Sequence, residues 1–265
     1  MSQHANSHSE HTIMLEHLPF EMDEGIASRA SIGLIVLATD YTIEREWQML
    51  FSQIEGVALY HTRIFNENHI TPESLRAMQP RIVECANVIT PDTPVDVIAY
   101  GCTSASMAIG EQGVFDNIRK SKPDSLCTTP ITAAFAAFDA FQAQRIGVLT
   151  PYTREVNKIV ADYITARGYE VPVFGSFNEG LDTNVARITP DSIERGVREI
   201  RHHADVDMIF VSCTSVRLMA ACAELEKNLS IPLTSSNHAM AWHALRLANI
   251  NDDLSSFGSL YGKTL

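Results

Sequence analysis

From Ile32 onward, short apolar runs alternate with longer stretches in which apolar residues recur at helical spacing. The apolar runs predict strands at 33–39, 57–64, 95–102, 125–128, 145–150, 171–177, 208–213 and 232–235. Thr42, Thr71, Thr153 and Thr189 each precede a stretch with acidic residues in its first turn, which predicts helix starts. Apolar strands alternating with helices predict an α/β fold built on parallel sheets with crossover helices.

The pattern also repeats. Ser31-Ile32-Gly33-Leu34 and Arg145-Ile146-Gly147-Val148 each open a strand that runs into a Thr-x-Tyr-Thr element, Thr39 to Thr42 in one case and Thr150 to Thr153 in the other. Ile70-Thr71-Pro72-Glu73-Ser74 recurs as Ile188-Thr189-Pro190-Asp191-Ser192, and Gly101-Cys102-Thr103-Ser104 as Ser212-Cys213-Thr214-Ser215. Three matched elements in one order, at nearly constant offset, imply two similar halves.

The predicted division is an N-terminal tail or arm at 1–30, a first α/β lobe from 31–130 plus 237–265, and a second from 131–236. Each lobe is a short, mainly parallel sheet flanked by helices, and the lobes are related by a pseudo-two-fold axis. Each Cys-Thr-Ser falls at the carboxyl end of a strand, where open α/β sheets bind ligands. The two thiols are therefore expected to face each other across the cleft between the lobes.

Composition narrows the function classes. A net charge of −12 with no basic stripe excludes nucleic acid as a partner. No apolar run approaches the roughly 20 residues of a membrane-spanning helix. Five cysteines without a CxxC pair suggest neither a disulfide framework nor a zinc site, and fit a reducing cytoplasm. His4, His8 and His11 would hold a metal only if the tail were helical, and a solvated polar tail is the better reading, so no metal is expected. The five lysines do not end buried strands, and neither GxGxxG nor GxxxxGK[ST] occurs, so no cofactor is expected. An assembly of like chains is expected, with the N-terminal segment either a tail or a partner-clasping arm.

Cys102 and Cys213, each read as lying between a strand and a following helix, are the candidate catalytic pair, since helix N-terminal amides favour a thiolate. Either alone would pass for core filler. Thr103, Ser104, Thr214 and Ser215 offer hydroxyls and N–H groups to hold a carboxylate, although helix capping would use the same residues. Cys85 and Cys222 read as core, and Cys127 as a residue near enough to approach the cleft.

On these residues the chain resembles the aspartate/glutamate racemase superfamily, in the branch of maleate cis-trans isomerases, arylmalonate decarboxylases and ectoine-utilisation proteins. The likeness covers roughly residues 31–250, and includes the Thr150-Pro151-Tyr152 turn and the Asp182-Thr183-Asn184 segment. It implies that Cys102 and Cys213 are the catalytic pair, that Thr103, Ser104 and Tyr152 bind a substrate carboxylate, and that Asn184 covers the substrate. Asp40 stands where maleate isomerases usually carry Asn, and reads either as an acceptor for a substrate ammonium or as a helix cap. Arylmalonate decarboxylases keep one catalytic cysteine, so the pair argues against that activity.

The Cys-Thr-Ser repeat with Asp40 is most similar to the ectoine-utilisation members. The resemblance implies a cofactor-independent two-cysteine racemase of a small carboxylic acid, in amino-acid metabolism such as ectoine breakdown. Maleate cis-trans isomerisation is the alternative, and a non-catalytic carboxylate-binding protein is the rival from another class.

Overall fold

The computed structural model describes residues 13–265. The first half runs β1 (Ala30–Leu37), α1 (Ile43–Phe51), β2 (Val57–Ile64), α2 (Pro72–Arg76), α3 (Ile82–Asn87), β3 (Val97–Gly101), α4 (Thr103–Ile109), α5 (Glu111–Arg119), β4 (Leu126–Thr128) and α6 (Pro130–Ala140). The second runs β5 (Arg145–Thr150), α7 (Arg154–Ala166), β6 (Glu170–Ser176), α8 (Asp182–Val185), α9 (Pro190–His203), β7 (Met208–Val211), α10 (Cys222–Leu229) and β8 (Leu233–Ser235), and closes with α11 (Ser236–Leu247).

All pairings within the sheets are parallel, and the strand orders are β2-β1-β3-β4 and β6-β5-β7-β8. The two orders are the same. The repeated Ile-Thr-Pro-x-Ser does the same work in each half: Thr71 and Thr189 accept the N–H of Ser74 and Ser192, with proline in the first turn, and so start α2 and α9. In this order the winding reverses between β1 and β3, and again between β5 and β7. The carboxyl ends of those strands therefore border a crevice in each half.

Side chains alternate across each sheet. In β1, Ile32, Leu34 and Val36 join a core that continues through Ile131, Phe135 and Phe138 of α6 to Val148 and Phe210 of the second sheet. Ile35 and Leu37 point the other way, into a smaller cluster with Ile64, Ile82 and Val114. Helix α11 packs against α6, β3 and β4, carrying the chain's end back to the first half. With each fully buried Leu or Phe stabilising by about 1.5–3 kcal/mol, this shared core holds the halves together.

Residues 13–29, before β1, form an exposed, irregular segment that joins the body through the ion pair of Arg29 with Asp252 (2.5 Å). His4, His8 and His11 lie outside the described residues. Among the described residues, no helix is long and apolar enough to cross a membrane, and no three His, Cys, Asp or Glu side chains cluster as metal ligands would.

One glycine is fixed by close approach. A Cβ on Gly101, the residue before Cys102, would sit 2.9 Å from the carbonyl oxygen of Ile35 on the neighbouring strand. Backbone cannot move aside as a side-chain tip can. Gly101→Ala is expected to lower unfolding free energy by about 1–3 kcal/mol in urea titration. Gly262→Ala, where nothing lies within 4 Å, should leave it nearly unchanged.

Candidate active site

The carboxyl ends of β1, β3, β5 and β7 converge on one narrow pocket. Cys102, Thr103 and Ser104 enter it from the end of β3, Cys213 and Thr214 from the end of β7, and Tyr152 from the turn after β5. Leu37, Ile70, Leu75 and Met78 make its apolar wall. Both thiols thus reach the same space from matched positions of the repeat.

The two turns differ in local structure. Cys102 heads α4, with the Ala105 N–H directed at its sulfur. Cys213 was expected to precede a helix as well, but a turn and loop follow it, and the next helical turn starts at Met219. The Ser215 N–H reaches the Cys213 sulfur at 3.4 Å, and the Tyr152 hydroxyl lies against that sulfur and the Ser104 hydroxyl. Thr214 Oγ1 donates to the Gly101 carbonyl (3.4 Å), tying the second turn to the first.

The loop after Cys213 is shaped by partners from far along the chain. The Ser215 carbonyl accepts from Thr42 Oγ1 (2.9 Å), and the Thr214 carbonyl from Asn237 Nδ2 (2.7 Å). Glu46, buried on α1, accepts the N–H groups of Leu218 (2.7 Å) and Met219 (2.8 Å) through one oxygen, and Asn237 Nδ2 (2.7 Å) through the other. Sequence reasoning missed Glu46. As a first-turn acid of an amphipathic helix, it carried no signal beyond ordinary helix chemistry.

Asp182 was also missed, although its segment stood out. Its carboxylate lines the pocket and accepts the hydroxyls of Thr39 and of Ser215 (2.8 Å), while Asn66, also in the wall, donates to Thr39 Oγ1 (2.7 Å). Ser215 stands behind the pocket rather than in its wall. Asn184 is turned away, with its amide donating to Glu179 (3.2 Å). Asp40 is outside the wall as well. Its Oδ1 accepts the N–H of Thr42 (2.7 Å) and Ile43 (2.9 Å) and so caps the start of α1. Its Oδ2 makes no hydrogen bond, the nearby Thr214 hydroxyl being turned to Gly101. Cys127 does not reach the pocket, and its thiol donates to the Ser125 carbonyl (3.6 Å).

Burial controls the electrostatics. It pushes the Cys102 thiol up to about 12, against the N–H of Ala105, and Asp182 adds to the rise. Cys213 is pushed up for the same two reasons. The helix-end amides expected to favour a thiolate are thus outweighed, and both sulfurs rest as thiols. Burial also raises Asp40 to about 6, Glu46 to about 7, and Asp182 above the usual carboxylate range.

A family model described as arylmalonate decarboxylase matches residues 32–261. The maleate isomerase of Nocardia farcinica is 26% identical over 224 residues, covering 81% of this chain and 88% of that protein. The arylmalonate decarboxylase of Bordetella bronchiseptica is 26% identical over 227 residues, covering 84% and 92%. The crystal structure of the maleate isomerase Iso from Pseudomonas putida S16 superposes with a TM-score of 0.80 at 24% identity, covering 88% of this chain and 98% of that one.

The Glu46 clamp has a pH signature. Because its folded pKa of about 7 lies above the unfolded value near 4.5, the folded state holds the proton more tightly. Its contribution is therefore full below about pH 4.5 and is lost as pH rises through about 7. Glu46→Gln removes this dependence. Melting temperature measured from pH 5 to 8 should show the native chain losing stability relative to the variant as pH rises, by up to about 3 kcal/mol. A constant difference would show that Glu46 does not titrate in this range.

Proposed function

The chain belongs to the arylmalonate decarboxylase family, and on that premise we propose that it is an isomerase of a small carboxylic acid, of the kind its maleate isomerase relatives represent, with Cys102 and Cys213 as reacting groups. What supports this reading above all is that both thiols, at matched positions of the repeat, line one pocket. A decarboxylase needs a proton donor on only one face of the carbon that loses carbon dioxide. Two thiols suit a reaction that visits both faces, or that makes and breaks a bond to sulfur.

Ser104 and Tyr152 hold the substrate carboxylate through their hydroxyls and Thr103 through its backbone N–H, its own hydroxyl being donated to Ser236 (2.7 Å), with the reacting carbon between the sulfurs. Both sulfurs rest as thiols, so the cycle begins with loss of one proton to solvent; Cys102 is assigned this step because it heads a helix, whereas Cys213 heads a loop, and the proton returns when product leaves. The Cys102 sulfur adds to one alkene carbon, and the π pair moves to the neighbouring carbon and into the attached carboxylate, where the hydroxyls stabilise it. The remaining single bond turns. The pair then re-forms the double bond, the C–S bond breaks and the thiolate leaves. Cys213, still protonated, covers the opposite face. The electrons end where they began, so no metal or redox cofactor is called for.

A specific observation favours a second reading, racemisation. Among the described residues the pocket wall includes Asp182 and Glu67 and no lysine, arginine or histidine, so a second substrate carboxylate meets no cation among them. A monocarboxylate with an α-amino or α-hydroxyl group suits that wall better. On such a substrate Cys102 removes the α-proton and Cys213 returns one from the other face.

Turnover in deuterated water separates the routes. Fumarate formed from maleate by addition and rotation should carry no deuterium on its vinylic carbons, while a racemised product should carry it at the α-carbon. In either case Cys102→Ala and Cys213→Ala should each lower kcat/KM by at least about 100-fold, as loss of a reacting group does. Near-native turnover by either single variant would overturn the two-thiol proposal.

A further inference from the structure

We propose that residues 13–26 are an arm that docks in the groove between α1 and the Cys213 loop of a second copy of this chain, so that two copies clasp one another reciprocally. The inference is independent of which reaction the pocket performs. It starts from the composition of the arm. Ile13, Met14, Leu15, Leu18, Phe20 and Met22 are between 62% and 87% exposed. Single exposed apolar side chains are ordinary on a protein surface, but six within ten residues form a surface that water leaves uncovered. The arm is also acidic, with Glu16, Glu21, Asp23 and Glu24 and no lysine or arginine between 13 and 28. An anionic membrane would repel it. Its partner must be apolar and carry positive charge.

The body of the protein has such a place. The groove, with room of about 220 Å³, is lined by Tyr41, Met49, Leu218 and Ala221, with Arg45 and Arg217 as its cationic members. Tyr41 is 65% exposed. Glu46, the acidic residue at the groove, is buried and engaged by Leu218, Met219 and Asn237. The charges on arm and groove are therefore opposite, and the apolar surfaces are of the same kind.

Chain geometry favours the arm of another copy. The arm leaves the body at Ala30, the start of β1, while Tyr41 lies beyond the far end of that strand. Eight residues of strand span about 26 Å. An arm folded back over its own body spends residues 22–29 on regaining that end and has only residues before Met22 left for the groove, whereas the arm of a second copy can lay Met22 into it together with Leu18 and Phe20. Reciprocal exchange makes a closed two-fold dimer. Since Leu218 and Ala221 belong to the loop that starts at Cys213, a docked arm covers the back of that loop.

Analytical ultracentrifugation of the full chain and of a chain beginning at Arg29 tests this. The full chain should sediment as a dimer at roughly 10 µM and the shortened chain as a monomer, with circular dichroism confirming that it is folded. A synthetic peptide of residues 13–28 should bind the shortened chain. Arg45→Glu with Arg217→Glu should weaken that binding at least tenfold, and lysine in place of Glu16 and Glu21 in the peptide should restore it. If the shortened chain does not fold, the same charge reversal in the full chain should by itself yield monomers. A full chain that is monomeric at roughly 100 µM, a shortened chain that remains dimeric, or peptide binding indifferent to the charge reversal overturns the proposal.

Discussion

A carboxylate taken out of water must be met by hydrogen-bond donors, and here two buried carboxylates find their donors across the boundary between the halves. Glu46 of the first half holds Leu218 and Met219 of the second, and Asp182 of the second holds Thr39 of the first together with its own half's Ser215. Apolar packing through α6 and α11 supplies most of the cohesion, but it is tolerant of small shifts. The carboxylate bridges are not. They fix the loop that carries Cys213 relative to β1 and β3, and thus set where one thiol stands with respect to the other.

The same burial governs reactivity. A thiol is a poor nucleophile until it loses its proton, and a dry pocket with Asp182 in its wall opposes that loss at both sulfurs. The compensating donors are few: the N–H of Ala105 at Cys102, and the N–H of Ser215 with the Tyr152 hydroxyl at Cys213. What the arrangement gains is symmetry of access. Two resting thiols in one pocket leave the choice of reacting sulfur to the substrate's position. Once a thiolate does form with a high pKa, it is the more nucleophilic for it.

Much of the architecture was legible because a duplication writes the same instruction twice. Ile-Thr-Pro-x-Ser starts α2 and α9 by the same cap, and Cys-Thr follows β3 and β7 into the same pocket. Two predicted strands were too long, 95–102 against Val97–Gly101 at both ends and 208–213 against Met208–Val211 at the carboxyl end, because composition alone does not mark where the ladder bonds stop. The helix expected after Cys213 is absent for a reason no local pattern contains. Its N–H and C=O groups are taken sideways by Glu46, Thr42 and Asn237, from 23 to 173 residues away, where Cys102 has only its own helix to follow. Asp40 could be read as a cap from sequence. Asp182 could not be placed in the pocket, because its partner Thr39 is 143 residues distant.

The pocket's charge finally bears on what it can hold. In the proposed mode of binding, a substrate carboxylate would bring a negative charge into a space already lined by Asp182, whose pKa burial has raised. Each anion raises the free energy of the other, so a proton taken up by Asp182 and an anion taken up by the pocket favour one another. Protonated, Asp182 becomes a donor, and its link to Ser215 and Thr39 must then reverse or lengthen. Because Ser215 also gives its N–H to the Cys213 sulfur, the charge state of Asp182 reaches that thiol through the turn that bears it. Substrate charge, the proton on Asp182 and the setting of Cys213 are thus coupled through one short chain of hydrogen bonds.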